Sequence, residues 1–209
     1  MGLFPIFLKL ENRRCLVVGA GKIAQGKAAG LLRSQACVGV VGPRATRWIQ
    51  AKARAGALTW HPRKFTAGDL KGIFLVVVAT DSSRTNEAVS RLCARRGILC
   101  NVVDDPEHCD FFYPSVVRRG PLQIAISTGG QSPSLARRLR IELAQQFGPE
   151  FGAWLKNVGR RRKQLLKQRL TAQERRASLQ EIASPESLAQ FLQKSGTKGQ
   201  PRDGKRSSG

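Results

Sequence analysis

Acidic and aromatic side chains are both scarce in this chain of 209 residues: 14 Asp and Glu stand against 36 Lys and Arg, and aromatics make up 6%. The shortage of acids leaves a formal net charge of +22. Residues 157–209 carry 13 basic and 4 acidic side chains, residues 1–156 carry 23 and 10, so a basic tail does not account for the excess. Such a body attracts polyanions as a class: nucleic acid, anionic lipid, nucleotides or polycarboxylate metabolites. No apolar run approaches the roughly 18 residues of a membrane span, so no membrane partner is expected. The apolar stretch Leu3, Phe4, Ile6, Phe7 and Leu8 has no basic n-region and no small-residue cleavage site, and is not expected to be a signal peptide. The cysteines Cys15, Cys37, Cys93, Cys100 and Cys109 are odd in number and lack CxxC spacing. Reduced thiols and a cytoplasmic location are the expectation, not a disulfide framework or a zinc cluster.

What is present is an alternation of strands and helices. Arg14–Gly19 is a short apolar strand, Lys22–Ser34 a helix with Ile23, Ala24, Ala28, Leu31 and Leu32 on one stripe, and Val38–Val41 a second strand broken by Gly42-Pro43. A helix over Thr46–Ala55 and a short strand over Leu58–Trp60 follow. Ile73–Thr80 is an uninterrupted apolar run, the pattern of a strand buried on both faces of a parallel sheet. Ser82–Arg96 reads as a capped helix and Ile98–Val103 as a further strand. This spacing predicts a doubly wound α/β fold, a Rossmann-like parallel sheet over residues 1–112. Residues 113–148 read as a small α+β module, a hairpin around Arg119-Gly-Pro121 and a helix opened by Ser132-Pro133, whose apolar face is expected to pack on a partner subunit. A helical C-terminal region spans 149–194, its first helix running from about Glu150 to Lys167. Beyond Thr171 it turns polar, with one weak amphipathic stretch from Glu186 to Leu192. Residues 195–209 are expected to be disordered.

Gly19-Ala-Gly21-Lys-Ile-Ala24 matches the GxGxxA fingerprint in the context it requires, after a strand and at the head of a helix. Its first glycine makes the tight turn, the second admits a pyrophosphate, and the small third residue lets the helix approach the sheet. The acid expected roughly 20 residues on, to bind the ribose of NAD, is missing. The second strand ends in Pro43-Arg44 instead. Arg44 and Arg47, taken alone, suit the 2′-phosphate of NADP; as ordinary solvated charges they choose nothing. Thr80-Asp81 and Asn101–Asp104 end the next two strands, where ligands of open α/β sheets bind. Asp104 there is either a base that takes a proton while hydride leaves to a cofactor, or, with Asp105, an ordinary turn cap before Pro106. His61 and His108 lack metal-ligand spacing to each other, and His108-Cys109-Asp110, though locally suggestive, puts together three adjacent side chains that rarely converge on one ion, so no metal site is expected. Arg160–Lys163 has no interleaved aromatics, which argues for a solvated helix face over a nucleic-acid site.

Phe4–Leu10, Leu16–Gly21, Val76–Asp81, Cys100–Asp104, Phe112–Ser115 and Ser127–Pro133 stand in an order and spacing that resembles precorrin-2 dehydrogenase, the dehydrogenase/ferrochelatase module of siroheme synthases. The likeness spans about residues 2–165. It implies NAD-dependent oxidation of precorrin-2 to sirohydrochlorin on the way to sirohaem or cobalamin, with Fe²⁺ insertion as a second activity in some relatives, and a homodimer. It implies cofactor contacts at Lys22, Ile23, Pro43 and Arg44 besides Gly19, Gly21, Thr80, Asp81 and Asn101, and a catalytic role for Asp104. Ser115, Thr128, Gly129 and Gly130 are the expected substrate contacts, and Arg118, Arg119, Arg137 and Arg138 are candidates for the substrate's carboxylates. Thr128 stands where some relatives have a phosphorylatable serine. Gln25-Gly26-Lys27 departs from the pattern, since relatives usually have Arg before that Lys. No methyltransferase domain of the fused siroheme synthases is recognised after this module. A rival of another class, a dinucleotide-sensing protein that uses its basic tail on nucleic acid, rests on composition alone.

Overall fold

A computed structural model describes residues 2–194; the tail expected to be disordered, 195–209, lies outside the described residues. The chain divides into two compact units, Leu3–Tyr113 and the part from Pro114 onward. The first unit runs β1 (Arg14–Val18), α1 (Lys22–Arg33), β2 (Cys37–Val41), α2 (Arg47–Arg54), β3 (Thr59–His61), β4 (Leu75–Val78), α3 (Ser83–Arg95) and β5 (Leu99–Val102). Short 3₁₀ turns at Ala67–Leu70 and Pro106–His108 complete it. All strands are parallel, in the order β3-β2-β1-β4-β5. This is the doubly wound architecture read from the sequence.

Alternation along the strands sends side chains to two apolar layers. Cys15, Val17, Val38, Val40, Leu75 and Val77 pack with Ala24, Ala28 and Leu31 of α1 and Ile49 of α2. Leu16, Val18, Val41, Val76 and Val78 pack with Val89 and Cys93 of α3. Every residue of β4 is buried, as its unbroken apolar run predicts, and burial of each such side chain contributes about 1.5–3 kcal/mol. Pairing places Val18 opposite both Val41 and Val78, and Val78 opposite Val102. The carboxyl ends of β1, β2, β4 and β5 therefore reach one level, and the residues just beyond them share a rim. The strand order reverses between β1 and β4, the switch point at which such sheets bind ligands.

The second unit opens with an antiparallel hairpin, β6 (Ser115–Arg119) and β7 (Leu122–Ile126), and continues with α4 (Pro133–Gln146), α5 (Glu150–Leu165), α6 (Ala172–Glu181) and α7 (Pro185–Lys194). Gly120 turns the hairpin at φ 56° and lies against Gly152 of α5, where an added Cβ would come within 2.9 Å of the Arg119 carbonyl. The polar stretch after Thr171 is a helix. Thr171 and Glu174 close a capping box, which fixes α6 without an apolar stripe. The basic run of α5 is not wholly solvated either, because Arg161 donates to the buried Ser187 hydroxyl of α7 at 3.2 Å.

Candidate functional site

The turn after β1 carries out the geometry its glycines require. Gly19 has φ 105°, and a Cβ on it would collide with the Ala79 carbonyl at the end of β4; its amide donates to the Val41 carbonyl at 2.8 Å. Gly21 caps α1 in an extended conformation with no side-chain cap and no acid in the first turn. The helical ladder begins with the Gln25 amide on the Gly21 carbonyl, so the amides of Lys22, Ile23 and Ala24 precede it and form the anion site of a helix N-terminus. A side chain added at Gly21 would meet open space. Ala24 is fully buried against the sheet, whereas Ile23 is 55% exposed beside the turn.

Gly42 is a position that sequence reading treats only as a strand breaker. A Cβ there would stand 3.0 Å from that of Ala20 and 3.1 Å from its amide nitrogen, so the end of β2 lies directly on the fingerprint turn. The Thr46 amide donates to the Ala20 carbonyl at 3.1 Å and ties the same two segments. Pro43 and Arg44 follow, both exposed.

At the end of β4, the Thr80 hydroxyl donates to Asn86 Oδ1 at 2.5 Å and the Asn86 amide returns to the Thr80 carbonyl at 3.1 Å. This lock holds the strand-to-helix turn and leaves Asp81 exposed. Asn101 in β5 is buried, and its amide donates to the Phe111 carbonyl at 2.8 Å and to Cys109 Sγ at 3.3 Å. Its side chain therefore pins the loop after β5.

The two neighbouring acids separate cleanly. Asp105 stands at the N-cap of the 3₁₀ turn, where its side chain makes no capping bond and its carboxylate lies 2.8 Å from His108 Nδ1. Asp104 sits in the left-handed region at φ 61°, exposed, with no hydrogen bond or ion pair to any described residue. A non-glycine residue in this conformation is uncommon, and here it is the acid without a partner among the described residues. Lys27, one turn beyond Ile23 on α1, joins this corner. Its ammonium lies 3.7 Å from the centroid of the Tyr113 ring. Burial pulls its pKa down, opposed chiefly by the nearby Asp104 carboxylate. In the sequence Lys27 stands only as the lysine that follows the departure at Gln25-Gly26, and nothing in the fingerprint assigns it a contact.

In the second unit Ser115 opens β6 opposite Ile126. The Thr128 hydroxyl accepts from the Ser132 amide at 3.2 Å, and Gly129 and Gly130 both have positive φ in the turn before α4. Arg119 is a correction to the expected carboxylate contacts. Its guanidinium donates to the Phe147 and Ala144 carbonyls, each at 2.7 Å, and so closes the C-terminus of α4. Arg118 donates to Gln123 and Arg138 pairs with Glu142, which leaves Arg137 as the member of the four with no such local partner among the described residues.

A family model described as NAD(P)-binding matches residues 6–115, more than half of the chain. The chain belongs to this NAD(P)-binding family. A second family model, sirohaem biosynthesis protein central, matches residues 119–146. The siroheme synthase of Photorhabdus laumondii is 41% identical over 88% of this chain and 39% of its own length, and that of Nitrosococcus oceani is 40% identical over 82% and 36%. The chain thus spans little more than a third of these curated relatives. Among solved structures, SirC, a precorrin-2 dehydrogenase, aligns with a TM-score of 0.76 and 26% identity over 92% of this chain and 98% of that one. The resemblance read from six segments of the sequence is borne out by both family models and by these relatives.

Proposed function

We propose that this protein oxidises precorrin-2 to sirohydrochlorin with NAD as hydride acceptor. The observation that carries this reading is the free carboxylate of Asp104, held at the same rim of the sheet as the open amides of Lys22 and Ile23. The family match and the likeness to precorrin-2 dehydrogenase support it. The site fits a dinucleotide: a glycine turn with empty space beside Gly21, an uncapped helix N-terminus, and exposed Ile23, Pro43 and Arg44 at the edges. A bound nicotinamide supplies the hydride acceptor. The chain's own part is to hold the pyrophosphate on the Lys22 and Ile23 amides, to line the rim with Thr80 and Asp81, and to receive on the Asp104 carboxylate the proton that leaves as hydride departs. Asn101 acts through the loop it pins. Ser115, Thr128, Gly129 and Gly130 are proposed substrate contacts on the family likeness.

We also infer a homodimer. In the second unit, Leu135 and Ile141 of α4 and Leu166 are exposed, and among the described residues no further strand pairs with either edge of the two-stranded sheet, edges that a second copy would cover. The test of function is a spectroscopic assay of precorrin-2 oxidation with NAD and with NADP in turn, followed by Fe²⁺ and sirohydrochlorin without dinucleotide. Oxidation with NAD is the expected result. No absorbance change with either dinucleotide rejects the reading. A clear preference for NADP moves the assignment to a 2′-phosphate on Arg44, and metal insertion adds the chelatase.

A further inference from the structure

We infer that Lys27 is a substrate-binding residue that holds a carboxylate arm of the tetrapyrrole beside Asp104; this rests on the function proposed above. One charge in this corner lacks a partner among the described residues. The Lys27 ammonium is half-buried and forms neither a hydrogen bond nor an ion pair with any described residue. It lies over the face of Tyr113, at 3.7 Å, which satisfies the charge in part but none of its three N–H donors. Desolvation lowers its pKa, and the Asp104 carboxylate opposes that shift. A partly desolvated cation without an acceptor is unfavourable, more so in a chain of net charge +22. An incoming carboxylate removes that penalty.

Placement selects the ligand. Lys27 lies five residues past Lys22, about 7.5 Å further along α1, so its backbone is away from the amides that receive a pyrophosphate. Helical side chains lean toward the N-terminus of their helix, which carries the ammonium back toward the rim, where it lies over Tyr113 and feels the Asp104 carboxylate. Tyr113 is itself held: its ring meets that of Phe111 edge-on at 5.7 Å, and the Phe111 carbonyl takes the Asn101 amide. The cation is thus set in place before a ligand arrives. A substrate that carries acetate and propionate arms around its ring offers a carboxylate within reach of any atom that Asp104 serves. Lysine, with three donors on one point charge, accepts such an arm without demanding a fixed plane.

Steady-state kinetics of wild type, Lys27→Met and Lys27→Arg, varying precorrin-2 and NAD separately, test this. Lys27→Met is expected to raise KM for precorrin-2 about tenfold, the size of a lost charge-assisted hydrogen bond. KM for NAD and the melting temperature are expected to stay near wild type. Lys27→Arg is expected to recover most of the loss, which a purely structural role for the lysine stem would not predict. An unchanged KM for precorrin-2 in Lys27→Met overturns the inference, and so does a rise confined to KM for NAD, which would place the cation in the cofactor site. If Lys27→Met does not fold, Lys27→Gln and Lys27→Arg are compared by sirohydrochlorin binding, and equal affinities overturn the inference. Wild type that fails to oxidise precorrin-2 brings down the proposed function and this inference with it. Active wild type with an indifferent Lys27 brings down the inference alone.

Discussion

Adjacent residues of the same type do different work here, and the difference comes from what each side chain already holds. Asp105 is bound to His108, whereas Asp104 has no such partner and a left-handed backbone. Asp104→Ala is therefore expected to lower turnover at least a hundredfold, the usual contribution of a positioned base, with NAD affinity within about twofold of wild type because the fingerprint turn is untouched. Isothermal titration with NAD beside the oxidation assay reads both. Asp69 is the contrasting acid, one used for stability. Arg63 holds it at 2.6 Å and the Thr66 amide at 2.8 Å, and together they depress its pKa from 3.8 to about 2. A depressed folded-state pKa contributes stability that is fully present above the unfolded value and is lost as pH falls through the folded one. Asp69→Asn is expected to destabilise the protein by about 1 kcal/mol at pH 7, a figure reduced for solvent around the exposed Arg63. The gap from wild type should close between pH 5 and pH 2 in urea melts; a constant gap would reject the ion pair as its source.

At the scale of elements, the two fingerprint glycines make opposite demands. Gly19 is required by the fold, since its φ is positive and a Cβ would strike the Ala79 carbonyl. Gly21 has ordinary φ and open space around it, so only a ligand requires it to stay small. Gly19→Ala is expected to lose about 3 kcal/mol of stability. Gly21→Asp is expected to melt near wild type while losing dinucleotide binding, because it sets bulk and negative charge against the pyrophosphate. Thermal melts with and without NAD separate the two effects, and equal NAD affinity in Gly21→Asp would remove the fingerprint argument. Elements without an apolar stripe depend on their ends in the same local way. In α6 the capping box of Thr171 and Glu174 marks a helix that hydrophobic periodicity does not.

For the whole molecule the governing quantity is its charge. A net +22 steers a polycarboxylate toward the protein over distances set by salt, with a screening length of about 8 Å at physiological ionic strength. The second-order constant kcat/KM for precorrin-2 is expected to fall severalfold between 50 and 500 mM NaCl, with kcat changing less. A flat kcat/KM would show that the charge serves something else. Among the described residues no helix is long and apolar enough to cross a membrane.

Hydrophobic pattern and backbone chemistry act through near neighbours, so the sequence alone determined the parallel sheet, the glycine turn at Gly19–Gly21, the Ser82 and Ser132 caps and the placing of Asp104 at a strand end. Each of these follows from the period of a short segment or from the φ that one residue type permits. Tertiary structure decided what depends on residues distant in the chain. Gly42 is tight because β2 lies beside β1, Arg119 is spent on the carbonyls of α4 and not on a ligand, and Asn101 pins Phe111. Lys27 meets Tyr113 across 86 positions of sequence. A side chain's availability for chemistry is set by what already occupies its donors and acceptors, and that is known only once the chain has folded.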